Sequence, residues 1–275
     1  MDKTNTILFH WDKEQKNFDK NLSILKKKPG KAEAILKLRV TVKKFSAYLH
    51  LYRLLQQKNL SLPGGDEQML IKTSELYEII GRHRDVEICI ELIVKLKKEK
   101  DFSCSKFDEF LKTVLKMTRD WSHTAIHHYR NKELRQIKSI LKQDKQLYNK
   151  EIVNKKIESI IKKELTVLPL SSGKPHQLRI NLKSIHYAIS LLREDEKYQP
   201  QLLDEIIDDL GNWQNMEELE RRLKHFRKDY LPESLNEYQT LKGLEPVIEL
   251  KKKTIIRTVR SKTRRWLKAV MSSQK

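Results

Sequence analysis

The chain has 275 residues, 38% hydrophobic and 34% charged, and its 57 Lys and Arg against 37 Asp and Glu leave a formal net charge of +20. Its apolar content and its few glycines and prolines (7 of each) exclude a disordered or collagen-like chain, and no apolar run is long enough to span a bilayer. The charge excess points to an anionic partner: nucleic acid, an anionic membrane surface or a smaller polyanion.

Hydrophobic periodicity predicts helices throughout, with no competing strand pattern. Met1-Asp2-Lys3-Thr4-Asn5 leads into charged sequence rather than an apolar signal core. Cys89 and Cys104 form no recognisable motif. Together these fit a reducing, cytoplasmic setting. The first helix spans 7–28, before Pro29-Gly30. The second spans 31–58, before Leu62-Pro63-Gly64-Gly65. Residues 66–81 form a helix stopped by Gly81, residues 84–100 form another, and one long helix runs from about 106 to 144. The later part repeats the order: a helix over 149–167, a loop at 171–175, helices over 176–194, 200–210 (ending at Gly211) and 215–227, breaks at Pro232 and Gly243, and a last helix from about 246 to 270.

This order suggests an internal duplication. Leu36-Lys37-Leu38-Arg39-Val40-Thr41-Val42-Lys43 aligns with His176-Gln177-Leu178-Arg179-Ile180-Asn181-Leu182-Lys183, 140 residues later, and Ile80-Gly81 aligns with Leu210-Gly211, 130 residues later. The expected fold is all-α: two pseudo-twofold-related helical bundles, 1–147 and 148–275, forming one domain around a basic groove.

At about 100° per residue, Leu38, Val42, Phe45, Leu49 and Tyr52 share one apolar face. Leu178, Leu182, Ile185, Ile189 and Leu192 share the matching one, and these faces are expected to build two cores. Beside each runs a basic stripe: Arg39, Lys43, His50 and Arg53 in the first half; His176, Arg179, Lys183, His186 and Arg193 in the second. Like charges at i,i+4 destabilise a helix. Such stripes therefore either pair with carboxylates on neighbouring helices, for which Asp85, Glu217 and Glu218 are candidates, or line a groove for phosphates. Arginine offers phosphate a planar fork and lysine a mobile point charge. The last helix carries Lys253, Arg257, Arg260, Arg264 and Lys268 in a narrow sector, with Val259, Trp266 and Val270 opposite. The corresponding first-half positions hold His123, His127, Arg130 and Lys138. These helices are expected to add side walls to the groove.

His123 and His127 have metal-ligand spacing, but no Cys or acid completes a site. No metal or cofactor is expected. In Gly81-Arg82-His83-Arg84-Asp85, Gly81 reads as a helix C-terminal cap with positive φ. That would set Arg82, His83 and Arg84 near a helix start, a natural position for an anion.

Taken together, these residues resemble the CHAD family, named for a conserved-histidine α-helical domain. The likeness rests on four segments. They are Leu38-Arg39-Val40 with Lys43-Lys44; Gly81-x-x-Arg84-Asp85-Val86; His176-x-Leu178-Arg179-x-x-Leu182-Lys183-x-x-x-Tyr187-Ala188; and Leu210-Gly211-x-x-x-Asn215. It covers nearly the whole chain. The resemblance implies two pseudo-symmetric bundles around a basic cavity and non-catalytic binding of inorganic polyphosphate, in some cases at polyphosphate granules or beside polyphosphate-metabolising enzymes. The chain departs from the family pattern in several places. Leu36 stands where the first-half histidine is expected, Lys43 and Lys44 replace arginines, and Ser184 matches Lys44. Asn215 replaces an aspartate, and Asn212-Trp213-Gln214 lacks the cations of Arg82-His83-Arg84.

On this reading the arginine and lysine stripes replace the counterions of a phosphate chain, and His176 and His186 add hydrogen bonds that strengthen as pH falls toward 6. Three rivals stand beside it. A nucleic-acid binder is permitted by charge, but no base-reading helix-turn-helix or aromatic run supports it. An enzyme acting on phosphate chains would need clustered carboxylates for Mg²⁺ or a phosphate-cradling glycine loop, and neither is found. A membrane-surface role for 251–268 would use Trp266 and Leu267.

Overall fold

Leucine, isoleucine, lysine and glutamate lose little by being helical, and every long element here is a helix. The computed structural model describes residues 6–56, 70–144, 149–166, 168, 174–192 and 196–272. Among the described residues there are nine α-helices and no strand. They are α1 (Thr6–Lys27), α2 (Ala32–Gln56), α3 (Ile71–Lys100), α4 (Ser105–His128), α5 (Lys132–Gln143), α6 (Lys150–Thr166), α7 (Pro175–Ile189), α8 (Pro200–Tyr230) and α9 (Asn236–Ser272). No described helix is long and apolar enough to cross a membrane. The predicted turn at 62–65, the stretch 171–173, the divide at 147/148 and Arg193 lie outside the described residues.

Four predicted boundaries are corrected. Gly81 caps nothing: α3 runs through it without positive φ and ends at Asp101, whose left-handed backbone (φ 48°) directs its N–H to the Lys97 carbonyl. Gly211 likewise lies inside α8. A helix-interior glycine costs about 1 kcal/mol relative to alanine, and packing outweighs that cost at both positions. Gly243 and Pro246 lie inside α9, whose Leu241, Leu244 and Ile248 are buried along one side. The predicted 106–144 helix instead breaks at Tyr129, where no glycine or proline signals it. The Tyr129 ring is buried 5.4 Å from that of Phe18, and its hydroxyl lies 2.7 Å from that of Thr73, so the backbone turns extended to seat the side chain.

The hairpins α1/α2, α3/α4 and α8/α9 pack closely, and α2 also packs on α7 and α3 on α8. Consequently the apolar faces of α2 and α7 do not build two cores. Leu38, Val42 and Phe45 share one cluster with Leu178, Leu182 and Ile185. A second cluster lies along the distal parts of the two long hairpins, with Val86, Ile93, Phe107, Leu219, Phe226 and Ile248. Both parts of the chain contribute to both clusters. Cys89 and Cys104 are unbridged and buried, and burial pushes their thiols up to about 12 and about 11.

Between the clusters lies a polar layer. On α3 it is Gly81 to Asp85, between Ile80 of the first cluster and Val86 of the second; on α8 it begins at Gly211, after Leu210. Several buried polar groups are paired there. Thr118 and Ser122 of α4 donate to the Val114 and Thr118 carbonyls (2.8 Å each), and Lys252 of α9 meets Glu217 and Glu220 at 2.6 Å and Glu249 at 3.2 Å. A buried polar group is tolerated when paired in this way.

Candidate functional site

Where α2 packs on α7, above this polar layer, the two stripes converge. Arg39 lies across Gly81 and Arg179 lies across Gly211. A Cβ added at either glycine would stand 3.2 Å from an Nη2 atom of the arginine. That is tighter than most Cβ contacts, so the bare helix surface of glycine favours the close approach of each guanidinium.

The partners of the two arginines differ. Arg39 Nη1 donates to the Asp85 carboxylate (3.3 Å) and reaches the Gly81 carbonyl (3.5 Å), and its guanidinium sits 5.1 Å from the centre of the Tyr77 ring. Arg179 Nη1 donates to the neutral Gln214 amide oxygen (2.8 Å). The Nε atoms of both are buried without a partner. Pairing with a neighbouring carboxylate therefore occurs at Arg39 and not at Arg179. Glu217 is drawn to Lys252, and Glu218 to Arg221 and Arg222 (2.7 Å each).

Between the arginines, Lys43 and Lys183 meet across the helix pair. Their amines are close enough to share a hydrogen bond, and Lys43 Nζ also lies 5.4 Å from the centre of the Tyr77 ring. Burial, then the positive charge of Arg39 and Arg179, lowers Lys43 to about 8. Burial, then Lys43 and Arg179, lowers Lys183 to about 7. Burial also lowers Arg179. Four cations are thus held together against burial and mutual repulsion with one carboxylate, Asp85, paired among them within the described residues.

Two pockets adjoin this cluster, and a third lies beside the second. A cavity of about 630 Å³ is lined by Lys43, Arg179, Lys183, His50 and His176, with Glu78 and Glu164 as its acids. A second, of about 740 Å³, shares Lys43, Tyr77, His176, Arg179 and Gln214 with the first, and adds Arg39, Arg84 and Arg221 against Asp85, Asp208, Glu217 and Glu218. A third, of about 890 Å³, shares Trp213 with the second and carries the exposed Arg257, Arg260 and Arg264 of α9 with Lys252 and Lys253.

Of the other predicted residues, Arg84 lines the second pocket and the rest lie elsewhere. His186 turns its Nδ1 to Asp204 (3.0 Å), and burial lowers its pKa against the pull of that carboxylate. Arg53 is half-buried on α2 and lines none of these three pockets. Arg82, His83 and Arg84 are not at a helix start, because α3 is continuous. Arg82 is exposed, and Arg84 pairs with Glu87 and Glu91 (3.1 and 3.0 Å). His127 and Arg130 are exposed at the C-terminal end of α4, where Arg130 donates to the His127 and Tyr129 carbonyls (3.0 and 3.1 Å). The rings of His123 and His127 are 4.5 Å apart, and among the described residues no metal-sized group of His, Cys, Asp or Glu forms. Lys44 is held by Glu14 at 2.7 Å.

Sequence reasoning missed Tyr77 and Gln214. Tyr77, Gly81 and Asp85 lie at i, i+4 and i+8 on one face of α3, a spacing hidden while Gly81 was read as a stop. Comparison with protein-family models, curated proteins and solved structures finds no match to this chain.

Proposed function

We propose that this chain is a non-catalytic binder of inorganic polyphosphate, built as the resemblance to CHAD proteins implies. The observation that carries the proposal is the convergence of Arg39, Lys43, Arg179 and Lys183, with Asp85, among the described residues, alone paired to them within salt-bridge distance. A phosphate oxygen entering between the lysines supplies the missing negative charge. It accepts from both amines, with the two guanidinium groups adding positive charge beside it.

Two further observations support the reading. The Arg39–Gly81 and Arg179–Gly211 contacts repeat the same geometry at positions that align in sequence, as an internal duplication about a pseudo-twofold axis would produce. The first two pockets share several lining residues and the second shares Trp213 with the third, so a linear chain leaving the α2/α7 cations past Trp213 would meet the α9 arginines. A chain bridging these sites gains affinity with length, because each later site is met at high effective concentration.

The test is titration with polyphosphate of defined short and long lengths at about 0.15 M salt, with duplex and single-stranded DNA as competitors. Tight, length-dependent binding with DNA a weak competitor is the expected result. Equal binding of every polyanion would reduce the basic surface to general charge attraction. Trp213, beside the exposed α9 arginines, favours one rival: stronger competition by single strands than by duplex would assign that surface to base stacking.

A further inference from the structure

A second set of uncompensated cations lies on the other side of α3. Successive residues of a helix turn by about 100°, so His83 and Glu87 face away from Gly81 and Asp85. There a cavity of about 820 Å³ opens between the α1–α2 turn and α4. Lys27, Lys28 and Lys31 line it from the turn. Lys112, Lys116 and Arg119 line it from one face of α4, at i, i+4 and i+7.

All six are exposed, and none is in an ion pair with a described carboxylate. Among the described residues Glu87 is the one acid lining the cavity. It is already engaged, by Arg84 at 3.1 Å and by the buried His83 at 3.5 Å, and the other ring nitrogen of His83 lies 3.4 Å from the Thr118 hydroxyl. Arg119 lies against the turn at Gly30: a Cβ added there would make an ordinary contact, 3.6 Å, with its Nε. Lysines repeated on one helix face repel one another, and a concave basic surface concentrates anions. Apart from the His83 imidazole no aromatic ring lines the cavity, so it offers no platform for nucleobases.

We propose that this cavity is a second, separate binding site for an anion carrying several phosphate groups: either the end of an inorganic polyphosphate chain or a compact polyphosphorylated small molecule. Arg119 supplies the planar fork, and the five lysines supply mobile charges around it. With this site and the α2/α7 site on opposite sides of α3, one protein molecule holds two phosphate ligands and can bridge two polyphosphate chains. None of its cations contributes to the α2/α7 cluster, so either site can exist without the other.

Calorimetric titration of the intact protein with tripolyphosphate, and separately with inositol hexakisphosphate, tests this. Two equivalents should bind. The triple variant Lys112→Ala, Lys116→Ala, Arg119→Ala alters only exposed positions and should keep its helicity by circular dichroism. It should lose one equivalent, or weaken it at least tenfold. The variant Arg179→Ala with Lys183→Ala should keep that equivalent and lose the other. The tighter of the two probes identifies a chain end or a compact ligand.

Unchanged binding by the triple variant, or no binding of either probe, overturns the proposal. A single equivalent that only the Arg179/Lys183 variant abolishes also overturns it, while leaving the α2/α7 reading intact. Loss of all binding in the triple variant alone keeps this site and removes the other.

Discussion

Binding of a phosphate chain between Lys43 and Lys183 should draw protons from solution. In the free protein their pKa values are about 8 and about 7, so near pH 8 Lys43 is half protonated and Lys183 mostly neutral. A bound phosphate stabilises both ammonium forms. If it restores each to the ordinary lysine value of about 10.4, uptake at pH 8 is about 1.4 protons per binding event and falls to about 0.1 at pH 6. Both groups are lowered in the free protein, so affinity is highest below pH 7 and is lost as pH rises. The same arithmetic gives roughly a thousandfold loss between pH 6 and pH 9, or about 4 kcal/mol. Calorimetry in buffers of different ionisation enthalpy reads the uptake directly. The variant Lys183→Met should lose most of this uptake at pH 8, because it removes the amine that is mostly neutral there in the free protein. Uptake near zero at pH 8, or affinity flat from pH 6 to 9, would refute the claim that these two lysines hold the phosphate.

Other outcomes follow from the same contacts. Lys183→Met should raise the stability of the ligand-free protein. The gain should be greatest below pH 7, where the wild-type lysine is charged in the folded state, and should shrink as pH approaches 10; thermal unfolding across that range checks it. Gly81→Ala and Gly211→Ala would normally stabilise a helix interior by about 1 kcal/mol. Here the new methyl displaces Arg39 or Arg179, so urea unfolding should show little or no gain while polyphosphate binding weakens about tenfold. Lys252→Met should lower stability in urea unfolding by about 1 kcal/mol or more, because Glu220 then keeps only the half-exposed Lys224 as partner while Glu217 and Glu249 remain beside it. Reversing Arg257, Arg260 and Arg264 to Glu should weaken long polyphosphate at least tenfold and leave tripolyphosphate at the α2/α7 site within about twofold, read by titration of both lengths.

Much of the fold was legible because helix periodicity and apolar faces are local properties. The faces of α2 and α7, from Leu38 to Tyr52 and from Leu178 to Ile189, were read correctly as buried. Their joining into one cluster was not legible, since that depends on α2 packing on α7. Gly81, Gly211 and Gly243 misled as breaks because local propensity does not include the arginine laid over a glycine or the apolar contacts that carry α9 past Gly243. The break at Tyr129 was invisible for the converse reason: a tertiary contact of an ordinary helix residue sets it.

The site divides in the same way. Arg39, Lys43, Arg179 and Lys183 could be found from the repeated stripe, and the structure brings all four together. His186 shares that stripe by spacing, but Asp204 on α8 claims it, and only the packing of α7 on α8 reveals this. Tyr77 and Gln214 enter from helices whose continuity the glycines disguised. The six cations beside His83 are spread over two distant stretches of sequence, so no local pattern gathers them.

The most direct test of the central claim pairs the wild-type protein with the charge-reversed variant Arg179→Glu, Lys183→Glu in titrations with long-chain polyphosphate at about 0.15 M salt, with helicity checked by circular dichroism. The account predicts a variant that stays folded and loses at least a hundredfold in affinity. A folded variant that binds as the wild type does would contradict it and remove the α2/α7 cluster from any role in binding polyphosphate.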